Sequence, residues 1–328
     1  MKFLFRLLLV LVLAAAGLFA GAVWWLDQPL ELASNSVELS IEPKTAPRDV
    51  ALAWVQAGVH ANPILLYEWF RWSGQARKIR AGSYEVETGV TPRTLLDKMV
   101  RGDEVMATVR LIEGWTFKQF RTELARAPDL KQATAAMSEA DLMTAIGAPG
   151  VAAEGRFYPD TYAFSKGASD LAVLKRAYRA MQRQLDLAWA ERAPGTPLRD
   201  AKDALTLASI VEKETGAAKD RGLVAGVFNN RLRIGMPLQT DPTVIYGLGE
   251  RFDGNLRKKD LLADTPYNTY TRSGLPPTPI SMPGRASLLA AVKPDPTKAL
   301  YFVARGDGSS QFSESLADHN RAVNQFQR

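Results

Sequence analysis

The chain has 328 residues, of which 46% are hydrophobic, 23% charged and 9% aromatic, ordinary globular values that exclude a disordered or collagen-like chain. There is no cysteine and there are two histidines, His60 and His319, which excludes disulfide scaffolds, thiol nucleophiles and Cys-ligated metal sites and leaves too few imidazoles for a His-rich metal centre. The net charge of +6 comes from 41 basic and 35 acidic residues that are interspersed, which describes a solvated surface with a mild pull on anions and no nucleic-acid stripe.

In chain order, Lys2 and Arg6 precede an uncharged run, Leu7–Leu26, that ends on Trp24 and Trp25. At ~1.5 Å per residue this run covers roughly 30 Å, enough to cross a bilayer, and basic residues before the span keep the N-terminus in the cytoplasm. A cleaved signal peptide is the other reading, since Ala20-Gly21-Ala22 offers small residues, but the apolar run exceeds the usual h-region. The expected order is a cytoplasmic start (1–6), a transmembrane helix (7–26) and a proline-punctuated linker (27–48) with one short strand at Val37–Ile41.

Residues 49–105 read as a small α/β unit. Helices are predicted over Asp49–Val59 and Ile64–Ser73, then a strand from Arg80 to Val86. A third helix runs through Val100, with Thr91 as N-cap and Pro92 in its first turn, and Val105–Ile112 alternates as a strand. A helical, Ala-rich stretch completes a connecting region (106–150), with a boundary at Ala148-Pro149-Gly150. The remainder, 151–328, is the larger unit. About two domains fit the length, and alternating short strands and helices make the class α+β.

Three segments of the larger unit could carry chemistry. A helix is predicted from about Pro197–Asp200 to a glycine cap near Gly216. At 100° per residue Ala204, Leu207, Ala208 and Val211 share a face, Glu214 borders it and Glu212 lies nearer solvent. A carboxyl beside an apolar wall has a raised pKa, as a general acid requires, although a helix end with solvated charges is the plainer reading. The second segment, Gln239-Thr240-Asp241 followed by Tyr246, offers amide, carboxylate and aromatic partners for sugars, or forms an ordinary turn with Asp241-Pro242 opening a helix. The third, Tyr267-Asn268-Thr269-Tyr270 running into Pro276, Pro277, Pro279 and Pro283, is a stiff loop suited to a cleft wall or to a structural crossover. Glu154–Tyr162 clusters aromatics and fits core or cleft equally. Tyr301–Val303 with Asp307-Gly308 reads as a hairpin, and His319 as structural. No phosphate loop or serine-nucleophile elbow is present.

The run Ala208-Ser209-Ile210-Val211-Glu212-Lys213-Glu214-Thr215, then Asn230-Arg231-Leu232, Leu238-Gln239-Thr240-Asp241-Pro242-Thr243-Val244-Ile245-Tyr246-Gly247, Tyr267–Tyr270 and Gly274-Leu275-Pro276-Pro277 closely resembles the endolytic murein transglycosylase (YceG-like) family. Tyr301–Val303, Phe312 and His319-Asn320 match as well, so the likeness covers about residues 155–325. The resemblance implies a LysM-like subdomain at 49–105 and a catalytic domain at 151–328. It implies a lyase of the bacterial inner membrane whose periplasmic domain cuts the β-1,4 bond between N-acetylmuramic acid and N-acetylglucosamine in nascent peptidoglycan. Such cutting leaves 1,6-anhydro ends and terminates strand growth near the synthases. Glu214 falls at the position of the catalytic glutamate. Gln239, Thr240, Asp241, Tyr246, Asn268 and Tyr270 fall at groove positions, and no metal or organic cofactor is implied. A non-catalytic peptidoglycan-binding scaffold and a hydrolysing muramidase using Asp241 as its base are the alternatives.

Overall fold

A computed structural model describes residues 2–214 and 218–327, with side chains for 6–214 and 219–327. The chain forms two compact units: Met1–Thr108 with Ala163–Ala168, and Val109–Tyr162 with Ser169–Arg328.

The first unit begins with α1 (Lys2–Leu26), whose stretch from Arg6 is long and apolar enough to cross a membrane. Then follow β1 (Glu31–Leu32), β2 (Ser36–Ile41), α2 (Pro47–Ala57), β3 (Val59–His60), α3 (Pro63–Trp72), β4 (Gly82–Glu87) and α4 (Pro92–Arg101). β2 and β4 pair antiparallel, with Val37 opposite Val86 and Leu39 opposite Tyr84. Alternation then puts Val37, Ile41, Tyr84 and Val86 in a core closed by Trp54 of α2, Leu66 and Phe70 of α3, and Leu95, Leu96 and Met99 of α4. Each helix starts where its sequence provides a start. Asn62 accepts from Ile64 N–H, and Thr91 and Thr94 form a reciprocal cap at α4, which ends on left-handed Gly102. The stretch 27–48, expected as a linker, packs into this core through Leu30, Val37 and Ile41.

β5 (Met106–Arg110) pairs with β6 (Thr161–Ser165). Between them lie α5 (Phe117–Arg126) and α6 (Glu139–Ile146), both in the second unit. The expected connecting region 106–150 therefore divides at Val109, and Ala148-Pro149-Gly150 is a turn after α6 inside the second unit. That unit continues with α7 (Asp170–Ala190), α8 (Ala201–Glu214), α9 (Arg221–Arg233), α10 (Asp241–Leu248), α11 (Lys258–Leu262) and α12 (Arg285–Val292). A hairpin, β7 (Tyr301–Ala304) and β8 (Ser310–Ser313), precedes α13 (Leu316–Phe326).

α8 is the axis of the second core, among residues of α7, α9 and α12. It starts at Ala201 because the Asp200 carboxylate accepts from Lys202 and Asp203 N–H at 2.8 and 2.9 Å, and the expected end at Gly216 lies outside the described residues. Ala204 through Val211 are all buried, so the helix is enclosed on every side and not along the single face the spacing predicts. Its polar members satisfy themselves: Thr206 and Ser209 hydroxyls donate to the carbonyls of Lys202 and Thr206. Ser209 also accepts from Ile280 N–H at 3.0 Å while Ser281 donates to its carbonyl at 3.0 Å, which fixes the proline-rich loop along α8.

Candidate active site

Glu214 ends α8 as a half-buried side chain. Burial pushes its carboxyl above the ordinary range, the negative charge of Asp241 adds to that, and the Thr240 hydroxyl and the Arg231 guanidinium oppose it. The Thr240 hydroxyl donates to Glu214 Oε1. Thr240 and Asp241 sit where α10 begins, and Pro242 is accommodated in that first turn. Tyr270 donates its hydroxyl to Asp241 Oδ1 at 2.6 Å.

The turn that presents Thr240 is clamped from below. Arg231 of α9 is buried, and donates through Nε to Leu300 O at 2.7 Å and through Nη1 to Leu238 O at 2.8 Å and Pro237 O at 3.2 Å. Its guanidinium lies 5.2 Å from the Tyr301 ring, which stacks on His319. Gln239 holds φ at +49°, a region few non-glycine residues adopt. The neighbours that keep it there are Thr269, whose carbonyl accepts from Gln239 N–H at 3.0 Å and whose hydroxyl accepts from Thr240 N–H at 3.1 Å. The structure thus brings together Glu214, Thr240, Asp241 and Tyr270, with Gln239 in the same turn.

The other two expected residues lie elsewhere. Asn268 is fully buried, and its amide donates to the carbonyls of Asp260, Leu261 and Ala263 while its oxygen accepts from Tyr270 N–H at 2.9 Å. It folds the loop that carries Tyr270, and its buried amide donors are spent on that loop. Tyr246 lines a groove of about 1380 Å³ that is also bordered by Phe117, Lys213, Tyr267 and Thr278. Its hydroxyl donates to Glu154 Oε2 at 3.2 Å. α10 therefore gives its first residue to Glu214 and later ones to this groove, which reaches the last turn of α8 at Lys213.

Glu154 was not singled out by sequence. It is buried at the groove floor, and burial pushes its carboxyl up to about 7 against the hydrogen bonds from Phe117 N–H and Tyr246. The available signal was an acidic residue opening a stretch that mixes aromatics with Arg156 and Asp160; in the structure Gly155 beside it has φ +77° and lies where a Cβ would meet the Pro279 ring at 2.3 Å. Glu212 differs from Glu214 in its partner: it accepts from Gly284 N–H at 2.9 Å, at the start of α12. Among the described residues no three His, Asp or Glu side chains converge as metal ligands would.

These features define a class: an α+β protein with a candidate membrane helix and a site built round a carboxyl whose pKa burial raises. The chain belongs to the YceG-like family, whose model matches residues 39–325. An endolytic murein transglycosylase of Bacillus subtilis is 38% identical over 174 residues, covering 53% of this chain and 48% of that protein. One of Streptococcus pneumoniae is 26% identical over 357 aligned positions, covering 98% of this chain and 64% of that protein. The chain thus spans about half to two thirds of the length of these curated relatives. The crystal structure of a YceG-like protein from Listeria monocytogenes has a TM-score of 0.54 at 29% identity, covering 88% of this chain and 99% of that one.

Proposed function

We propose that this protein is a membrane-anchored endolytic lytic transglycosylase that cuts the β-1,4 bond between N-acetylmuramic acid and N-acetylglucosamine in nascent peptidoglycan, with Glu214 as its acid. The observation that carries this reading is the Glu214 carboxyl, pushed up by burial and by Asp241 and held on one oxygen by Thr240. The names of the relatives support the substrate.

Protonated Glu214 gives its proton to the glycosidic oxygen as the bond to the muramic anomeric carbon breaks. Thr240 occupies Oε1, so Oε2 is the oxygen that delivers it. The C6 hydroxyl of the same muramic residue then attacks the anomeric carbon, its proton passes to the Glu214 carboxylate, and a 1,6-anhydro ring closes. Ordinary glycosidases need a second carboxylate to supply or activate the nucleophile. Here the nucleophile is tethered to the reacting ring, so proximity replaces that carboxylate. Asp241 then serves to keep the acid protonated, and Gln239, Tyr270 and Tyr246 offer groups to the sugars.

On this reading α1 spans the inner membrane with the N-terminus in the cytoplasm, the body stands in the periplasm, 49–105 is a LysM-like subdomain, and the synthases that polymerise the strands are partners. The test is mass spectrometry of glycan products from the full chain and from Glu214→Gln on polymerised, uncrosslinked strands. Anhydromuramic ends from the wild type alone are expected. Reducing ends would replace the reading by a hydrolase with Asp241 as base, and cleavage by Glu214→Gln at the wild-type rate would overturn the assignment of the acid.

A further inference from the structure

The first unit carries an apolar surface that its own core leaves uncovered. On α3, Ile64, Leu65 and Trp72 are 66%, 52% and 77% exposed, while Leu66 and Phe70 on the other side of the same helix are fully buried. At 100° per residue the three exposed residues fall within one arc of about 100°, and Trp69 stands at its edge. Glu68 falls inside the same arc, its carboxylate paired with Arg71 at 3.3 Å and accepting from the Trp72 indole N–H at 3.0 Å, so the outward side of the helix is apolar round one paired charge.

What covers that face follows from where α3 sits relative to the end of α1. Trp69 donates its indole N–H to Pro92 O at 3.0 Å, and Arg93 lies 5.7 Å from its ring. Arg93 in turn pairs with Asp27 at 2.8 Å, the residue directly after α1. Leu26 is buried, Trp25 packs against the same core, and Leu30 N–H is held by Val90 O at 2.7 Å. The apolar helix thus runs into the unit without a free hinge, and one edge of the α3 arc lies at that junction. Trp24, at the end of α1, is 65% exposed there. Exposed basic residues Arg71, Arg77 and Lys78 follow along α3 and the short turn after it. Aliphatic and tryptophan side chains beside basic ones are the composition of a helix that lies in a lipid headgroup layer.

We infer that α3 is an interfacial helix: its Leu65–Trp72 face rests in the anionic surface of the same bilayer that α1 crosses, and so holds the first unit down on the membrane. The inference rests on α1 being a membrane span. An unrestrained body on a single span samples many tilts. A second, shallow contact removes most of them and sets the height of the chain above the membrane.

The absence of cysteine from the chain makes the test direct. Single variants Leu11→Cys, Leu65→Cys, Trp72→Cys and Thr45→Cys of the full chain are labelled with a small fluorophore in phosphatidylcholine–phosphatidylglycerol vesicles carrying brominated acyl chains. The labelled positions on α3 are exposed, so the fold tolerates them, and Thr45 is an exposed position beyond the end of β2. Strong quenching at 11, and quenching at 65 and 72 about twofold or more above that at 45, is expected. Quenching at 11 with water-like signals at 65 and 72 overturns the inference and leaves the span standing. A water-like signal at 11 overturns the span and the inference with it, and equal quenching at 45, 65 and 72 replaces a dedicated face by general adsorption.

Discussion

A carboxyl can act as an acid near neutral pH only if its surroundings disfavour losing the proton. At Glu214 burial and Asp241 do so, while Thr240 and Arg231 pull the other way. Replacing Asp241 by Asn removes one of the two influences that raise the carboxyl and keeps an oxygen for the Tyr270 hydroxyl. The Glu214 pKa then falls, a smaller fraction is protonated at neutral pH, and the alkaline limb of kcat/KM moves to lower pH. A severalfold loss near pH 7, with less loss in acid, is expected from pH–rate profiles of Asp241→Asn beside the wild type. A limb that stays in place or moves to higher pH would show that Asp241 does not tune the acid. Helical spacing sets Glu214 beside the apolar face and Glu212 nearer solvent, whereas both side chains are half-buried. It could not show what each carboxylate meets, because Thr240 and Gly284 arrive from remote parts of the chain. Asn268 and Tyr246 illustrate the same limit: polarity and spacing fit a groove, yet only tertiary contacts reveal that one amide is consumed by three carbonyls and that the tyrosine faces Glu154.

Elements were legible where a local device defines them. Thr91-Pro92 marks α4, and Tyr301–Val303 with Asp307-Gly308 marks the last hairpin, because caps and turns act within a few residues. α8 was legible as a helix but not as a wholly enclosed one. Thr206 and Ser209 look like solvent positions, and their burial depends on hydroxyls that bond back to the helix itself. Ser209 does more than close its own turn, since the proline-rich loop hangs on it at Ile280. Ser209→Ala leaves a buried Ile280 N–H without its acceptor, which costs about 1–3 kcal/mol. Denaturant unfolding monitored by circular dichroism should register that loss, and a midpoint equal to that of the wild type would mean that the loop holds its place without this contact.

At the scale of the whole molecule, the chain divides into two compact units, and among the described residues one core gathers round Trp54 in the first and another round α8 in the second. Their border was not legible. The chain leaves the first unit within β5 and revisits it at 163–168, so composition changes at neither crossing and no linker marks them. Proline-rich 27–48 misled for the opposite reason: Leu30, Val37 and Ile41 are buried in the first core and Leu32 and Leu39 pack against it, which makes the stretch part of a packed unit. Two cores that share no residue should melt with distinct sensitivities. Trp54 is fully buried and its indole N–H points at Met99 Sδ 3.2 Å away. Trp54→Ala removes the largest side chain of the first core and costs that unit about 3–5 kcal/mol. Calorimetry of the full chain in detergent should then show one endotherm shifted down by many degrees and a second unmoved. A single endotherm displaced as a whole would mean instead that the two cores unfold as one cooperative body.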